Sequence, residues 1–386
     1  MKRLMRVFLL CIAASWEVGM SISPASAHGV SVGTSTGGLG QLLLIVITSV
    51  VLFSLFLVFN HPKKGWTVLV TGGGGYVGSA LVPKLLGRGH MVTVLDLYPY
   101  GDDVLDSVQD HANLKQIEGD FRDRQTLEGA LGGCDAVVHL ACIANGHDPG
   151  IANSVDGDAF RLFVQTVKEA GVKRFIYASS FRVYGVKDEP EVTEELPLEP
   201  LTDDAKHKAL CEKVLEEERA TGFVTCTVRP AIVCGYAPSQ RLDLIVNALT
   251  HDAFDKGRIR VVGGSQRRPT IHIDDMTDLY LLLLDQPAAR IDGKTFNAGA
   301  ENLTLLELAD IVKAVVDDEV SIDVEPTDDL DSYRISSDRL RHELGFESRH
   351  TVVDAVSDLV AAFRSGKIPA SADDPEASDT SATSRS

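Results

Sequence analysis

Three glycines follow a short apolar run near residue 70, and their spacing suits the binding of a phosphate group. Gly72, Gly75 and Gly78 fit the pattern GxxGxxG directly after the run TVLV at 67–70. Because glycine has no Cβ, it adopts positive φ and lets backbone N–H groups come close to an anion at a helix N-terminus. The spacing predicts a turn that binds the pyrophosphate of a dinucleotide. A glycine-rich turn without a ligand is the alternative.

The elements on either side of the turn are those that a dinucleotide site requires. The apolar run predicts a strand buried in a parallel sheet, and the helix after the turn begins with Tyr76 and Val77, which we include among the cofactor-binding residues. A second predicted strand at 92–95 ends in Asp96. A carboxylate about 20 residues after the glycines is placed to bond the hydroxyl groups of a ribose.

Length, charge and cysteine content limit the class of protein. The chain has 386 residues, of which 44% are hydrophobic, so it can bury a full core. Its formal charge of −18 and the lack of a dense Lys/Arg cluster argue against nucleic acid as a partner. Six cysteines occur without a CxxC pair or a Cys/His ligand spacing, which predicts reduced core thiols, no disulfide framework and no metal site.

Two apolar stretches precede the glycine turn. Residues 1–27 are predicted as a signal peptide, because basic residues precede a short apolar run and an Ala-Ser-Ala site, although Glu17 is unusual there. An uncharged apolar segment predicts a transmembrane helix over 41–60, with a buried globular helix as the alternative. Lys63 and Lys64 follow it and predict, by the positive-inside rule, that the rest of the membrane-anchored chain faces the cytoplasm.

Strands alternate with helices from residue 66 onward. This order predicts an α/β fold with a doubly wound parallel sheet, followed by a smaller C-terminal part. The predicted strands cover 67–70, 92–95, 114–118, 135–140, 174–178 and 225–230, and a predicted helix covers 159–170. Residues 366–386 contain almost no apolar side chains and are predicted to be a disordered tail.

Seven motifs in order carry a resemblance to a known enzyme family. They are TGGGGYVG at 71–78, GDFRD at 119–123, VVHLAC at 137–142, YASSFRVYG at 177–185, RPAIVCG at 229–235, RRPTIHIDD at 267–275 and FNAG at 296–299. With them the chain resembles the extended short-chain dehydrogenase/reductase family, and within it the NAD-dependent epimerase/dehydratase enzymes similar to UDP-galactose epimerase. The resemblance implies a Rossmann-type domain over 66–365 that binds NAD, and a C-terminal part that binds a nucleotide-sugar substrate.

The resemblance also implies which residues form the site. Ser180 matches the serine or threonine that bonds the reacting sugar oxygen, with an ordinary strand-end serine as the alternative. Arg268 matches the arginine that meets a nucleotide-sugar diphosphate, and a pair with Asp274 or Asp275 is its alternative. The implied cofactor contacts are Gly72, Gly75 and Gly78 at the pyrophosphate, Asp96 at the ribose, Asp120 and Phe121 at the adenine, Leu140 and Ala141 beneath the cofactor, and Lys208.

One position departs from the family pattern. In the family, a tyrosine and a lysine spaced YxxxK share a helix face, and the phenol exchanges a proton with the substrate hydroxyl. Lys208 matches the lysine, but the residue four positions earlier is Asp204. Aspartate has a pKa of about 3.9 and tyrosine about 10, so Asp204 would be far too weak a base for an alcohol. We expect a catalytic group of Ser180, Lys208 and an altered third member, Asp204, with His207 as the alternative proton carrier.

These observations lead to the hypothesis of an NAD-binding nucleotide-sugar epimerase or dehydratase that acts by hydride transfer at a sugar hydroxyl. Because Asp204 occupies the tyrosine position, enzymatic activity is left open. The alternative is a catalytically impaired sensor or scaffold in a membrane-associated glycan pathway. An alcohol or steroid dehydrogenase is a third interpretation and would make less use of Arg268. The partners considered are a nucleotide-sugar substrate, the membrane and a second copy of the chain in a homodimer.

Overall fold

A seven-stranded parallel sheet is the central element of the protein. The computed structural model describes residues 65–99, 101, 103–141, 157–187, 189–327 and 332–368. Its strands are β1 (Thr67–Thr71), β2 (Met91–Asp96), β3 (Leu114–Glu118), β4 (Ala136–His139), β5 (Arg174–Ala178), β6 (Val224–Pro230), β7 (Ile232–Cys234), β8 (Arg258–Val262), β9 (Arg267–His272), β10 (Lys294–Ala298), β11 (Glu301–Thr304) and β12 (Ser321–Glu325). The large sheet has the order β3-β2-β1-β4-β5-β6-β10, with every pair parallel.

Helices cover both faces of this sheet and build much of the C-terminal part. They are α1 (Tyr76–Gly87), α2 (Arg124–Ala130), α3 (Gly157–Glu169), α4 (Asp203–Glu217), α5 (Ile245–Lys256), α6 (Ile273–Asp285), α7 (Ala288–Ile291), α8 (Leu305–Val316), α9 (Asp338–Leu344) and α10 (Val352–Arg364). Two 3-10 helices cover Asp103–Val108 and Phe181–Tyr184.

The predicted doubly wound parallel sheet is confirmed. All six predicted strands and the predicted helix occur, and their ends differ from the predictions by two residues or fewer. The sequence analysis did not assign β10, the seventh strand of the sheet. The strand order reverses between β1 and β4, and in folds of this kind ligands bind in the crevice at the carboxyl ends of such strands.

The apolar core lies on the two faces of the sheet. Val68 and Val70 of β1 pack into a cluster with residues of α1 and α6, whereas Leu69 faces a second cluster with residues of α2, α3 and α4. Successive residues of a strand point to opposite faces, so a strand covered on both sides must be apolar throughout. This burial explains why the run before the glycines is continuous.

The C-terminal part has its own small sheets and core. β7, β9 and β11 form a three-stranded sheet, and β8 pairs with β12 in parallel. Residues of α5, α8 and α10 form a third apolar cluster. Ile368 is buried against Leu359 and Phe363, so the ordered chain continues beyond the predicted tail boundary at 366. Residues 369–386 lie outside the described residues.

The predicted signal peptide over 1–27 and transmembrane helix over 41–60 also lie outside the described residues. Across the ranges that are described, no helix combines the length and the apolar character needed to cross a bilayer. The N-terminal assignments and the orientation that follows from them therefore stay predictions.

Candidate active site

The turn between β1 and α1 holds the three predicted glycines against the end of β4. Gly72 has φ of 73°, and a Cβ on it would lie 2.6 Å from the amide nitrogen of Ala141. A Cβ on Gly78 would lie 2.3 Å from the carbonyl oxygen of Gly72. A larger residue at either position would push neighbouring backbone away. Gly75 is the N-cap of α1, so the N–H groups of the first helical turn are available to an anion.

Asp96 lies at the end of β2 beside the same turn. Its carboxylate accepts hydrogen bonds from the backbone N–H of Gly74 at 2.9 Å and from that of Tyr98 at 2.8 Å. These bonds hold the carboxylate next to the glycines and leave acceptor sites for hydroxyl groups. The position of Asp96 is therefore compatible with its predicted contact to a ribose.

Tyr76 presents its backbone, and not its side chain, to the glycine turn. Its ring is buried, and its hydroxyl donates to the carbonyl oxygen of Gly235 at 2.7 Å and accepts from Asn247 at 3.2 Å. Burial raises the pKa of this hydroxyl above its usual value. Val77 is half-buried and packs at the edge of the core. A contact of Tyr76 with the cofactor would therefore be made through its amide.

Leu140 and Ala141 follow β4 and border the turn. The N–H of Leu140 donates to the carbonyl oxygen of Thr71 at 3.0 Å, which extends the pairing of β4 with β1 by one residue. The backbone of Ala141 closely approaches Gly72. Both residues lie at the crevice where the strand order reverses. Their contact with the cofactor stays a prediction.

Asp120 and Phe121 follow β3 and have different surroundings. The Asp120 carboxylate pairs with the guanidinium of Arg122, with Nε and Nη2 at 2.9 and 2.5 Å from Oδ2. Burial raises the pKa of Asp120, but the hydrogen bonds and charge of Arg122 outweigh burial and hold this pKa below its usual value. Phe121 contacts the rings of His139 and Phe163, both at centroid distances of 5.0 Å. Contact of either residue with an adenine stays a prediction.

Ser180 and Lys208 both lie at the carboxyl end of β5. The ammonium group of Lys208, on α4, donates to the carbonyl oxygen of Ala178 at 3.2 Å. Ser180 follows two residues later and caps the 3-10 helix by accepting the N–H of Arg182 at 3.2 Å. This bond uses an acceptor site of the Ser180 hydroxyl and leaves its O–H to donate to another group. The two residues predicted to polarise a substrate hydroxyl thus lie at the same end of one strand, and their role stays a prediction.

Asp204 lies one turn before Lys208, in the first turn of α4. Positions i and i+4 of a helix share a face, so the carboxylate and the ammonium group project from the same side. His207 has a contact on its own side, with 3.3 Å between its Nε2 and the sulfur of Cys211. The His207 ring, the alternative proton carrier, is thus positioned by Cys211, which is a different residue from Asp204 and Lys208.

Tyr184, four residues after Ser180, does not replace the missing phenol. Its side chain is fully buried, and its hydroxyl donates to Asn297 and accepts from Arg229, both at 2.7 Å. Burial raises the pKa of Tyr184 despite the opposing charge of Arg229. A buried hydroxyl with both partners in place cannot exchange a proton with a substrate.

Arg268 lies on β9, where its guanidinium stands 5.8 Å from the centre of the Tyr333 ring. The two carboxylates offered as alternative partners are engaged elsewhere. Asp274 pairs with a lysine of α1 at 2.8 Å, and Asp275 pairs with a histidine that precedes α10 at 2.9 Å. Binding of a diphosphate by Arg268 stays a prediction.

A buried charged pair lies next to the catalytic group, and the sequence analysis does not identify it. Arg229 donates from Nε to one oxygen of Glu212 at 3.0 Å and from Nη2 to the other at 2.6 Å. The Ser179 hydroxyl donates to the same carboxylate. Burial lowers the pKa of Arg229, but the hydrogen bonds and charge of Glu212 outweigh burial and raise it. The sequence shows its two members only separately, as a glutamate four residues after Lys208 and as the arginine that begins the motif at 229–235.

A neutral histidine lies beneath the site, at the end of β4. His139 is buried, and its Nδ1 is 2.6 Å from the hydroxyl oxygen of Thr71. Burial lowers the pKa of His139 to about 3, and the positive charges of Lys208 and His207 act in the same direction. His139 therefore supports the crevice as an uncharged group.

Comparisons with known proteins agree with this geometry. A sequence profile described as the NAD dependent epimerase/dehydratase family matches residues 68–299. The uncharacterized protein y4nG of Sinorhizobium fredii is 31% identical over 252 residues, which cover 64% of this chain and 59% of that protein. A dTDP-glucose 4,6-dehydratase of Streptomyces niveus is 29% identical over 329 residues, which cover 78% of this chain and 93% of that enzyme. The chain thus spans less than two thirds of the first relative.

A solved structure supports the same assignment. The dTDP-glucose 4,6-dehydratase DesIV of Streptomyces venezuelae, with NAD bound, superposes with a TM-score of 0.67 and 28% sequence identity. The superposition covers 78% of this chain and 98% of that enzyme. The Rossmann-type fold is therefore confirmed over nearly the whole length of the solved enzyme.

Proposed function

Because the chain belongs to the NAD dependent epimerase/dehydratase family, we propose that it acts on a nucleotide sugar by hydride transfer at a sugar hydroxyl. The contact of Lys208 with the carbonyl oxygen of Ala178, at 3.2 Å, carries the proposal. It places a cation at the strand end from which Ser180 follows, on the carboxyl edge of the sheet. Both groups that would polarise a hydroxyl are thus held by rigid elements.

The residues around the glycine turn fit NAD, the cofactor of the family. A Cβ at Gly72 or Gly78 would fill space between β1, α1 and β4, so the turn is built for close approach to backbone. Asp96 suits the hydroxyl groups of a ribose and would repel a 2′-phosphate, so we expect NAD to bind more tightly than NADP. When bound, NAD supplies a nicotinamide ring that accepts a hydride and returns it.

The chain's own residues orient the substrate and handle its proton. Ser180 would donate its free O–H to the reacting sugar oxygen, and Lys208 would favour negative charge developing there. A carboxylate in place of a tyrosinate is a far weaker base, because the ordinary pKa values of aspartate and tyrosine differ by about six units. Asp204 would then serve as an acid or would take no part in proton exchange with the substrate.

Arg268 supports a nucleotide sugar over an apolar alcohol. A guanidinium presents a planar fork of N–H donors that matches paired phosphate oxygens. Its place on β9, over the Tyr333 ring, holds a positive group in the C-terminal part, where the substrate would bind. A steroid or simple alcohol would gain little from such a group.

The second candidate function is a sensor or scaffold that binds NAD without turnover. Asp204 favours it, because the side chain with the pKa suited to an alcohol is replaced. A protein of this kind would keep the glycine turn, Asp96 and Lys208 for binding alone. Ser180 would then have no chemical role.

The proposed location is a membrane, with the catalytic domain on the cytoplasmic side. Its support is the uncharged apolar stretch within 41–60, followed by Lys63 and Lys64. NAD and nucleotide sugars would be available to the domain on that side.

A turnover assay on the detergent-solubilised full chain tests the proposal. UDP-, GDP- and dTDP-hexoses are each offered with NAD or NADP, and products are separated by chromatography while nicotinamide absorbance is followed. A 3β-hydroxysteroid arm tests the dehydrogenase alternative. Lys208→Met should abolish turnover and weaken NAD binding. Lys206→Met, which removes an exposed lysine of the same helix, is the matched control and should leave both unchanged.

Turnover of one nucleotide-sugar class that depends on Lys208 would support the proposal. Retained binding of NAD and a nucleotide sugar in native mass spectra, without turnover of any arm, would instead favour the sensor or scaffold. Turnover of the steroid alone would overturn both.

A further inference from the structure

We propose that the buried Glu212–Arg229 pair is a positioning device that holds Lys208 and Ser180 in mutual register. The inference rests on the proposed function for the roles of Lys208 and Ser180. It assigns Glu212, Arg229 and Ser179 to the support of the site, although none of them needs to touch the substrate.

The pair joins the three elements that carry or flank the site. Glu212 is on α4, one turn after Lys208, so both side chains leave the same helix face. Arg229 is on β6, next to β5 in the sheet. Ser179 precedes Ser180 directly, and its hydroxyl donates to Glu212. A single carboxylate thus fixes the helix of Lys208 to the backbone of Ser180.

The geometry of the pair is rigid. Both side chains are more than nine-tenths buried, and the guanidinium donates two hydrogen bonds to separate oxygens of Glu212. A third N–H of Arg229 reaches the hydroxyl of Tyr184, in the 3-10 helix that Ser180 caps. Small shifts of α4 would break several of these bonds at once, so Lys208 cannot move freely relative to β5.

The same network continues toward the C-terminal part. Tyr184 donates to Asn297 on β10, and the Asn297 side chain donates to the carbonyl oxygens of Val192 and Ser336. The backbone N–H of Asn297 donates to the buried carboxylate of Glu194 at 2.8 Å. Segments on the C-terminal side are therefore tied to the support of Lys208.

A purely structural role is the competing explanation. Buried ion pairs often contribute little net stability, because desolvation offsets their attraction, and apolar pairs of similar volume can replace them. A device that only stabilises the fold should therefore tolerate such a replacement. A positioning device should not, because an apolar pair cannot orient Ser179 or fix the register of α4.

The experiment compares four variants of the full chain. Glu212→Gln removes the charge of one partner, and the double variant Glu212→Leu with Arg229→Met replaces the pair by apolar side chains. Ser179→Ala removes only one hydroxyl and is the mildest change. Glu218→Gln is the matched control, because Glu218 pairs with Lys168 and Arg161 at the far end of the same helix. Unfolding temperature, NAD affinity, kcat and KM are measured for each.

We expect kcat of Glu212→Gln and of the double variant to fall by about 100-fold, the size of a displacement of about 1 Å at the reacting groups. KM for the nucleotide sugar should change by less than about threefold, because Arg268 is untouched. NAD affinity should fall about tenfold through Lys208. The double variant should unfold at a higher temperature than Glu212→Gln and yet stay inactive. Ser179→Ala should lower kcat by about tenfold, and Glu218→Gln should leave kcat and NAD affinity unchanged.

A double variant with kcat and NAD affinity near the unsubstituted values would overturn the inference, as would loss of activity in proportion to the unfolded fraction alone. If the unsubstituted protein turns over no nucleotide sugar, the proposed function fails separately. NAD affinity across the series then decides the inference: unchanged affinity in Glu212→Gln and the double variant rejects it, and loss in both supports it.

Discussion

At the scale of single residues, the proposed proton chemistry depends on Asp204. The difference between tyrosine and aspartate is about six pKa units, or about 8 kcal/mol in proton affinity. Tyr184 is fully buried and cannot substitute for the phenol.

Restoring the phenol is the most direct test of this residue. Asp204→Tyr should raise turnover of the correct nucleotide sugar by about 10²–10⁴-fold, because a positioned acid–base group is typically worth that much. Asp203→Tyr is the control, since the side chain of Asp203 is highly exposed and pairs with Lys206. If Asp204 is instead the working acid, the substitution should abolish activity and leave NAD affinity unchanged.

Two glycines of α1 differ in what a Cβ would meet. A Cβ on Gly78 would lie 2.3 Å from the Gly72 carbonyl oxygen, whereas a Cβ on Gly87 would meet nothing within 4 Å. Gly78→Ala should lower the free energy of unfolding by about 1–3 kcal/mol through overpacking and weaken NAD binding by about tenfold or more. Gly87→Ala should raise the free energy of unfolding by about 0.5–1 kcal/mol, because alanine favours a helix. Urea unfolding and NAD titration measure the two quantities for each variant. Equal effects of Gly78→Ala and Gly87→Ala would contradict the explanation by close approach of the backbone.

At the scale of elements, β4 and α3 share a layer of aromatic rings. His139 lies within it, at centroid distances of 4.8 Å from Phe163 and 5.5 Å from Phe160. The layer keeps water away from the end of β4, where Leu140 and Ala141 begin. Protonation of His139 would therefore place a charge inside this layer and disturb the packing at this edge of the sheet.

This coupling predicts a pH dependence of stability. The pKa of His139 falls from 6.5 when unfolded to about 3 when folded, so the unfolded state binds more protons between these values. Stability is then lost as pH falls below 6.5, by roughly 1.5–2 kcal/mol between pH 6.5 and 5. In His139→Phe the free energy of unfolding should fall less over this pH range, by roughly the same 1.5–2 kcal/mol. His90 and His272, whose pKa values are also lowered, remain in both proteins. Urea unfolding at several pH values measures this difference. The same pH dependence in the unsubstituted protein and in His139→Phe would contradict the prediction.

At the scale of the whole molecule, two carboxylates, one buried and one half-buried, attach the last described helix, α10, to the rest of the domain. Asp275 of α6 accepts the N–H groups of Arg349 and His350 at 3.0 and 2.9 Å. Glu301 of β11 accepts the N–H of Val352 at the start of α10, at 2.7 Å. The third apolar cluster and these bonds together make α10 part of the folded domain.

The predicted membrane anchor leads to a test of topology. The uncharged segment within 41–60, with Lys63 and Lys64 after it, should place the C-terminus in the cytoplasm and the protein in the membrane fraction. A C-terminal reporter that works only in the cytoplasm should be active. Activity of an export-dependent reporter at the same position would show the opposite orientation, and Lys63→Glu with Lys64→Glu should weaken the preference.

Local patterns in the sequence were sufficient for the sheet, the glycine turn and Asp96. A buried parallel strand, a turn that needs positive φ and a helix N-terminus each depend on residues within a few positions of one another. Family motifs then indicated Ser180, Lys208 and Arg268. Asp204 was recognised from the family's YxxxK spacing, by counting four residues back from Lys208.

Contacts between distant residues were decided by the tertiary structure alone. Glu212 pairs with Arg229, which is seventeen residues away on another element, and Tyr76 bonds Gly235, 159 residues away. No pattern in the sequence indicated that Tyr184 is buried against Asn297. Such partners depend on how helices pack on the sheet, and periodicity and spacing describe only one element at a time. The candidate residues of the site could therefore be named from the sequence, whereas the contacts that support them were determined by packing.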